Sequence, residues 1–81
     1  MAEERFWITK SDARRQMRRR ELPDEAVDLV LANPLSIRPG APPKRGRPAN
    51  VYFGVYEGRR LKVYVEIGSD PLKVKSAVWE D

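Results

Sequence analysis

The 81-residue chain carries 16 lysines and arginines against 12 acidic residues, a net charge of +4, and it contains neither cysteine nor histidine. This composition excludes a disulfide framework, an imidazole general base and a metal site built on cysteine or histidine. The length predicts a single domain spanning 1–81. No segment approaches the roughly 20 apolar residues of a membrane span, so we expect no membrane association. The charged start predicts no signal peptide, and the absence of cysteine favours the cytoplasm.

The first half of the chain predicts a short strand and two helices. Residues 5–9 are bulky and β-branched, which is typical of a strand. In the next segment Ala13 and Met17 fall on one face at helical spacing. A second helix should begin with Pro23 in its first turn, where proline is tolerated, and run to about Ala32. Asn33-Pro34 should end it, because a residue that precedes a proline avoids helical geometry. Its buried stripe should consist of Ala26, Val27, Val30 and Leu31.

The second half predicts a loop and three strands. Residues 34–49 contain five prolines and two glycines, which indicate a loop. Residues 50–56, 61–67 and 72–78 then alternate as strands, with a tight turn at Glu57-Gly58-Arg59. We place Val51, Phe53 and Val55 on the core face. The open face should then present Tyr52, Tyr56, Lys62, Tyr64, Lys73 and Lys75, with Trp79 as a further candidate.

This order of elements, β-α-α-β-β-β, predicts an α+β fold in which two helices pack on one face of an antiparallel sheet. The helices leave the second face of that sheet uncovered. That face is one place where side chains of functional interest can gather.

Positive charge is concentrated in the first helix and at the tip of the loop. Five arginines occur within residues 14–20, and the loop tip reads Lys44-Arg45-Gly46-Arg47. Guanidiniums match phosphate through forked hydrogen bonds, so the pattern favours a polyanionic partner. We expect these cations to form one continuous exposed surface. The predicted nucleic-acid-binding residues are Arg14, Arg15, Arg18, Arg19, Lys44, Arg45 and Arg47.

The run from Ile8 to Pro23 resembles the opening of a group of small bacterial proteins of undefined function, whose first helix reads His-Ala-x-x-Arg-Met-x-x-Arg-Gly-Ile. The segments Val51-Tyr52-Phe53-Gly54, 58–63 and 74–79 are also similar to that group. In layout these proteins resemble the RelE/ParE superfamily of toxin–antitoxin toxins. Asp12 stands where the group has histidine, Gln16 where it has arginine and Glu21 where it has glycine.

The resemblance implies a RelE-like toxin that acts on RNA or the ribosome and is covered by a cognate antitoxin. Many such toxins are ribonucleases that use basic residues and tyrosine, without metal or another cofactor, and others inhibit gyrase. Cleavage by attack of the 2′-hydroxyl needs an acid, a base and cations around the phosphorane. On this basis the candidate catalytic residues are Arg59, Arg60, Lys62, Tyr64 and Lys75, with Lys73 nearby.

Two other functions stay open. Asp12 at a helix N-terminus should remain ionised and could not act as an acid, so the chain could bind RNA without cutting it. It would then be a non-catalytic module docking on nucleic acid or on an acidic protein. Alternatively, the arginines of the first helix could pair with acids of the second helix, or with a second subunit in a homodimer, in a purely structural role.

Overall fold

The computed structural model describes residues 6–80 and shows an α+β fold. Its elements are β1 (Trp7–Thr9), α1 (Ser11–Arg19), α2 (Asp24–Ala32), β2 (Ser36–Pro39), β3 (Ala49–Tyr56), β4 (Arg59–Glu66) and β5 (Leu72–Trp79). The strand predicted at 5–9 is confirmed for Trp7–Thr9, while Arg5 lies outside the described residues. Both helices and the three C-terminal strands also occur where the sequence predicts them.

The five strands of this part of the chain form one mixed sheet in the order β1-β5-β4-β3-β2. The prediction of a wholly antiparallel sheet is wrong at one edge, because β1 pairs in parallel with β5. The two strands are far apart in the sequence, with both helices and three strands between them, and a connection of that length can return β5 parallel to β1.

A strand occupies part of the segment predicted as a loop at 34–49. Residues Ser36–Pro39 form β2, which pairs antiparallel with β3 and makes one edge of the sheet. Prolines argue against a central strand, but an edge strand accepts them because one of its sides makes no ladder hydrogen bonds. The connection without regular structure is therefore shorter than predicted and covers residues 40–48.

Both helices pack on the same face of the sheet. α1 buries Ala13 and Met17, as its spacing predicts. α2 buries the whole predicted stripe. Their side chains share one core with Leu61, Val63 and Val65 of β4, and with Trp7, Val74 and Ala77. Because the β4 residues of the core occur at every second position, the residues between them face the uncovered side of the sheet.

The face of β3 that packs against the helices is the opposite of the one predicted. The turn between β3 and β4 has positive φ at Glu57 (49°) and Gly58 (80°), as in a two-residue type I′ hairpin. This turn places Gly54 opposite Leu61 and Tyr52 opposite Val63. Tyr52 and its face of β3 therefore pack against the core, and the alternate residues of the strand face outward.

The residues at the end of β5 also face differently from the prediction, but here the reason is an interruption of the alternation. A register shift lies where Tyr64 and Val65 meet β5, and it inserts one extra residue into that strand. Beyond the shift Ala77 and Trp79 face the helices. The prediction that Tyr52, Tyr56 and Trp79 belong to the open face is therefore wrong, since all three pack against the core.

α1 ends in a Schellman motif at Glu21. The Glu21 amide donates to the Arg18 carbonyl at 3.1 Å, and the Leu22 amide donates to the Met17 carbonyl at 2.9 Å. This geometry requires left-handed backbone at Glu21, where φ is 52°. A side chain is sterically disfavoured in that conformation, and glycine usually occupies it.

Replacing Glu21 by glycine should therefore stabilise the fold. We expect Glu21→Gly to raise the free energy of unfolding by about 0.5–1 kcal/mol in urea titration, because glycine adopts positive φ without steric cost. Arg18→Gly, at an exposed helical position of the same helix, should lower it by a similar amount. A loss of stability in both variants would contradict the role assigned to Glu21.

Gly54 lets α2 approach the sheet closely. A Cβ atom at this position would lie 2.5 Å from Cγ2 of Val30, which is far inside van der Waals contact. Gly54→Ala should cost about 1–3 kcal/mol of unfolding free energy through overpacking. In the double variant Gly54→Ala/Val30→Ala the added methyl group fills the space that the smaller side chain leaves. The double variant should therefore lose less stability than the sum of the single changes, and strict additivity would contradict this contact.

Candidate nucleic-acid interface

The uncovered face of the sheet, here called the open face, gathers most of the predicted catalytic residues. Arg60, Lys62 and Tyr64 alternate with the core residues of β4, so all three lie on this face. Their partners across the ladder on β3 are Val55, Phe53 and Val51, respectively. The open face therefore combines a row of polar and cationic groups along β4 with an apolar row along β3.

One end of the open face forms a cleft of about 380 Å³, here called the Arg60 cleft. Its lining includes Ser36, Arg38, Phe53, Val55, Arg60 and Glu80. Arg38 comes from the edge strand β2 and Arg60 from the central strand β4, with β3 between them. Two arginines, one glutamate and one phenylalanine therefore line the same cleft.

A second hollow of about 250 Å³, here called the loop cleft, lies where residues 40–48 fold over β4 and β5. Arg47, Tyr64, Lys75 and Ser76 contribute to its lining. The Lys75 ammonium donates a hydrogen bond to the Arg47 main-chain carbonyl at 3.0 Å. Two predicted catalytic residues and one predicted binding residue therefore meet in this cleft. Lys44 and Arg45 lie exposed at the loop tip.

The charge of the open face is predominantly positive within residues 6–80. Arg38, Arg47, Arg60, Lys62 and Lys75 line the clefts or the row between them, and Lys73 lies at the β1 end, opposite Ile8. Two carboxylates, Glu66 and Glu80, share the face. An anion on this face is therefore attracted from several strands at once.

Arg59 is separated from the other predicted catalytic residues. Its guanidinium stacks over the Trp79 ring, 4.0 Å from the ring centroid, on the side of the sheet that carries the helices. Arg59, Trp79 and Tyr56 line one hollow on this side of the sheet. Desolvation raises the pKa of Tyr56 above its ordinary value, and the negative charges of Glu57 and Glu25 add to this effect. The structure thus does not bring Arg59 together with Arg60 and Lys62.

The arginines of residues 14–20 divide into two groups, those that make contacts within the fold and those that are exposed. Arg14 forms an ion pair with Asp24 of α2, and its guanidinium lies 5.6 Å from the centroid of the Trp7 ring. Arg20 donates to the Ala77 carbonyl at 2.9 Å, and its own carbonyl accepts from the Trp79 indole at 2.7 Å. These two arginines hold elements of the fold together.

Arg15, Arg18 and Arg19 are exposed on the outer side of α1. That helix lies on the covered side of the sheet, whereas Arg47 lies on the open face. The helix cations and this loop cation therefore belong to two separate surfaces rather than to one continuous surface. The outer side of α1 is here called the helix arginine row.

Arg38, Phe53 and Glu80 line the Arg60 cleft but are not among the site residues predicted from the sequence. The sequence places Arg38 in a predicted loop and Phe53 in the core. The hairpin offered a signal for Phe53, because a two-residue turn after Tyr56 pairs Phe53 with Lys62. No comparable local signal marks Arg38.

Comparison with known proteins gives no match: no protein-family model, curated protein or solved structure matches this chain. Within residues 6–80 no helix is long and apolar enough to cross a membrane. In the same part of the chain no three acidic side chains come together as metal ligands.

Because Arg20 makes contacts within the fold and Arg19 is exposed, substitutions at these two positions should affect stability differently. Arg20→Met should lower the free energy of unfolding by about 1–2 kcal/mol, because it removes a hydrogen bond from a charged group to the Ala77 carbonyl. Arg19→Met is the matched control, because Arg19 is exposed, and it should change stability by less than about 0.5 kcal/mol. Urea unfolding of the two variants measures both effects. Equal losses would contradict the structural role of Arg20.

Proposed function

We propose that this protein is a RelE-like, RNA-binding protein of the toxin–antitoxin type, with the open face as its RNA interface. One observation carries the proposal: Arg60, Lys62, Tyr64 and Lys75 lie together on the face that the helices leave uncovered. Cations spread over adjacent strands match the spaced phosphates of an RNA backbone better than they match a single small anion.

The chain architecture supports the RelE-like part of the proposal. A strand, two helices and an antiparallel set of strands follow one another in the order that the resemblance implies, with β2 as an addition. Glu21 has left-handed backbone, and this is the position where the resembling proteins carry glycine. Left-handed backbone at this position would account for the glycine of the resembling proteins.

Cleavage would use the loop cleft. Attack of a ribose 2′-oxygen on the adjacent phosphorus forms a 2′,3′-cyclic phosphate and breaks the bond to the 5′-oxygen. The 2′-hydroxyl loses one proton and the released 5′-oxygen gains one, so a group that donates the second proton can be restored by the first. Tyr64 is the proposed proton-transfer group, because its phenol lines the cleft. Lys75 and Lys62 lie on either side of Tyr64 along the ladder and would offset the charge of the phosphorane.

A non-catalytic module is the second candidate function. Asp12 lies exposed in the first turn of α1, where the resembling proteins have histidine. If that histidine carries the chemistry in those proteins, this chain would use the open face for attachment to nucleic acid or to an acidic protein. The antitoxin, in the first proposal, would cover the same face.

The test of RNA binding compares two double variants of equal charge change. Arg60→Ala/Lys62→Ala removes cations from the open face, and Arg18→Ala/Arg19→Ala removes them from the helix arginine row. For single-stranded RNA we expect only the first variant to lower the slope of log affinity against log salt, by about 1.4 for two lost phosphate contacts. Fluorescence anisotropy at several salt concentrations measures this slope. The reverse pattern would move the interface to α1, and no binding by the wild-type chain would overturn the proposal.

Toxicity separates the catalytic form of the proposal from the non-catalytic one. Induced expression of the wild-type chain should arrest bacterial growth, and Arg60→Ala/Lys75→Ala should relieve the arrest. A chain that binds RNA but neither arrests growth nor yields cyclic-phosphate ends on RNA is the non-catalytic module.

A further inference from the structure

We propose that the Arg60 cleft is a subsite for one nucleotide of single-stranded RNA, in which Arg38 and Arg60 bind a phosphate and Phe53 stacks on the base. This proposal rests on the proposed function and adds to it the form of the RNA and the residues that hold it. Neither Arg38 nor Phe53 is one of the candidate catalytic or binding residues found by sequence.

The two guanidiniums approach the cleft from different strands. Arg38 lies on β2 and Arg60 on β4, and both line the same volume of about 380 Å³. Arg38 and Arg60 are both exposed, so their forked donors are accessible to a ligand. Two guanidiniums against the single carboxylate of Glu80 leave a surplus of positive charge. A phosphate group fits this arrangement because it accepts hydrogen bonds from several directions at once.

Phe53 supplies an aromatic surface between the two arginines. Its β3 position faces away from the helices, and its neighbours across the strands are Ser36 on β2 and Lys62 on β4. The ring is half-buried, so part of it remains accessible from the cleft. An exposed aromatic ring within a cationic surface is typical of sites that stack unpaired bases.

The same arrangement excludes a duplex as the preferred ligand. Bases in a double helix are stacked on one another and present only their edges, whereas Phe53 lies within a cleft and offers a ring. A duplex could reach Arg60 and Lys62 through its phosphates, but its paired bases could not stack against Phe53. The proposal therefore predicts a preference for single-stranded RNA.

Glu80 limits where the phosphate can lie. Its amide donates to the Arg60 carbonyl at 2.8 Å, which fixes its backbone at the end of the β4–β5 ladder. The carboxylate repels phosphate and accepts hydrogen bonds from hydroxyl or amino groups. It should therefore direct the phosphate toward Arg38 and the sugar or base edge toward itself.

The Arg60 cleft lies next to the proposed reaction site. Arg60 and Tyr64 are four residues apart on one strand, which is roughly 13 Å at about 3.3 Å per residue. Lys62 lies between them and makes the path continuous. The cleft would hold a nucleotide beside the scissile phosphate and position it, so that Arg38 and Phe53 are positioning residues rather than catalytic ones.

The first experiment titrates the full chain with adenosine monophosphate or with inorganic phosphate and records the chemical-shift changes by NMR. The nucleotide should shift the ring protons of Phe53 and the amides of β2 and β3, and phosphate alone should shift only signals near Arg38 and Arg60. Arg38→Ala should abolish both sets of shifts, and Glu80→Gln should strengthen phosphate binding. Shifts confined to the loop cleft would overturn the subsite.

The second experiment measures a labelled RNA oligonucleotide, single-stranded and as a duplex. Phe53→Leu keeps an apolar side chain but removes the ring, and it should weaken single-strand binding about 5–100-fold while leaving duplex binding unchanged. Val78→Ala, on the same face and outside the cleft, is the matched control and should change neither. Thermal unfolding confirms that each variant is folded, and the NMR titration of the wild-type chain decides the question if one is not.

The outcomes separate this proposal from the proposed function. Single-strand binding that survives Phe53→Leu and Arg38→Ala would overturn the subsite and leave the RNA interface standing. A wild-type chain that binds no RNA overturns the proposed function, and the nucleotide titration still tests the cleft by itself. Displacement of bound nucleotide by a polyglutamate peptide of equal or higher affinity would show a protein-docking cleft and overturn the subsite.

Discussion

The register of the β3–β4 hairpin decides which side chains this protein shows to solvent. The two-residue turn at Glu57 and Gly58 pairs Gly54 with Leu61, and the missing side chain at Gly54 lets Val30 of α2 reach the sheet. A shift of one residue would exchange the two faces of a strand and bury cations in place of valines. The core, the position of the helices and the open face all follow from this one pairing.

The open face carries an apolar row beside its cations. Lys62 lies between Phe53 on one side and Val78 on the other, so its aliphatic stem can cover apolar surface while its ammonium stays hydrated. The same cations that shield this row are the ones available to a phosphate. The residues of the proposed interface can therefore also shield apolar surface of the sheet from water.

The sequence predicts local periodicity well and long-range pairing less well. Spacing located the buried stripes of α1 and α2, because helical periodicity is read within one segment. It predicted the wrong face for Val51, Phe53 and Val55, because the turn at Glu57 and Gly58 pairs them with Tyr64, Lys62 and Arg60. Val51 is nevertheless buried, as predicted, although it lies on the open face. The bulge in β5 and the strand β2 left no clear local sign. Arg20 and Arg19 look alike in sequence, since the partners of Arg20 lie 57 and 59 residues away.

The two cationic surfaces differ in what each can do to an RNA. The helix arginine row offers charge without an aromatic ring or a cleft, and its members repel one another at helical spacing. Such a row attracts a polyanion, but its field fades over about 8–10 Å at physiological salt and fixes no orientation. The open face adds an aromatic ring, two clefts and donors from β2, β4, β5 and the connection at residues 40–48, which together define where a phosphate and a base must lie. The proposed contacts to phosphate and base therefore all lie on the open face, and the helix arginine row makes none of them.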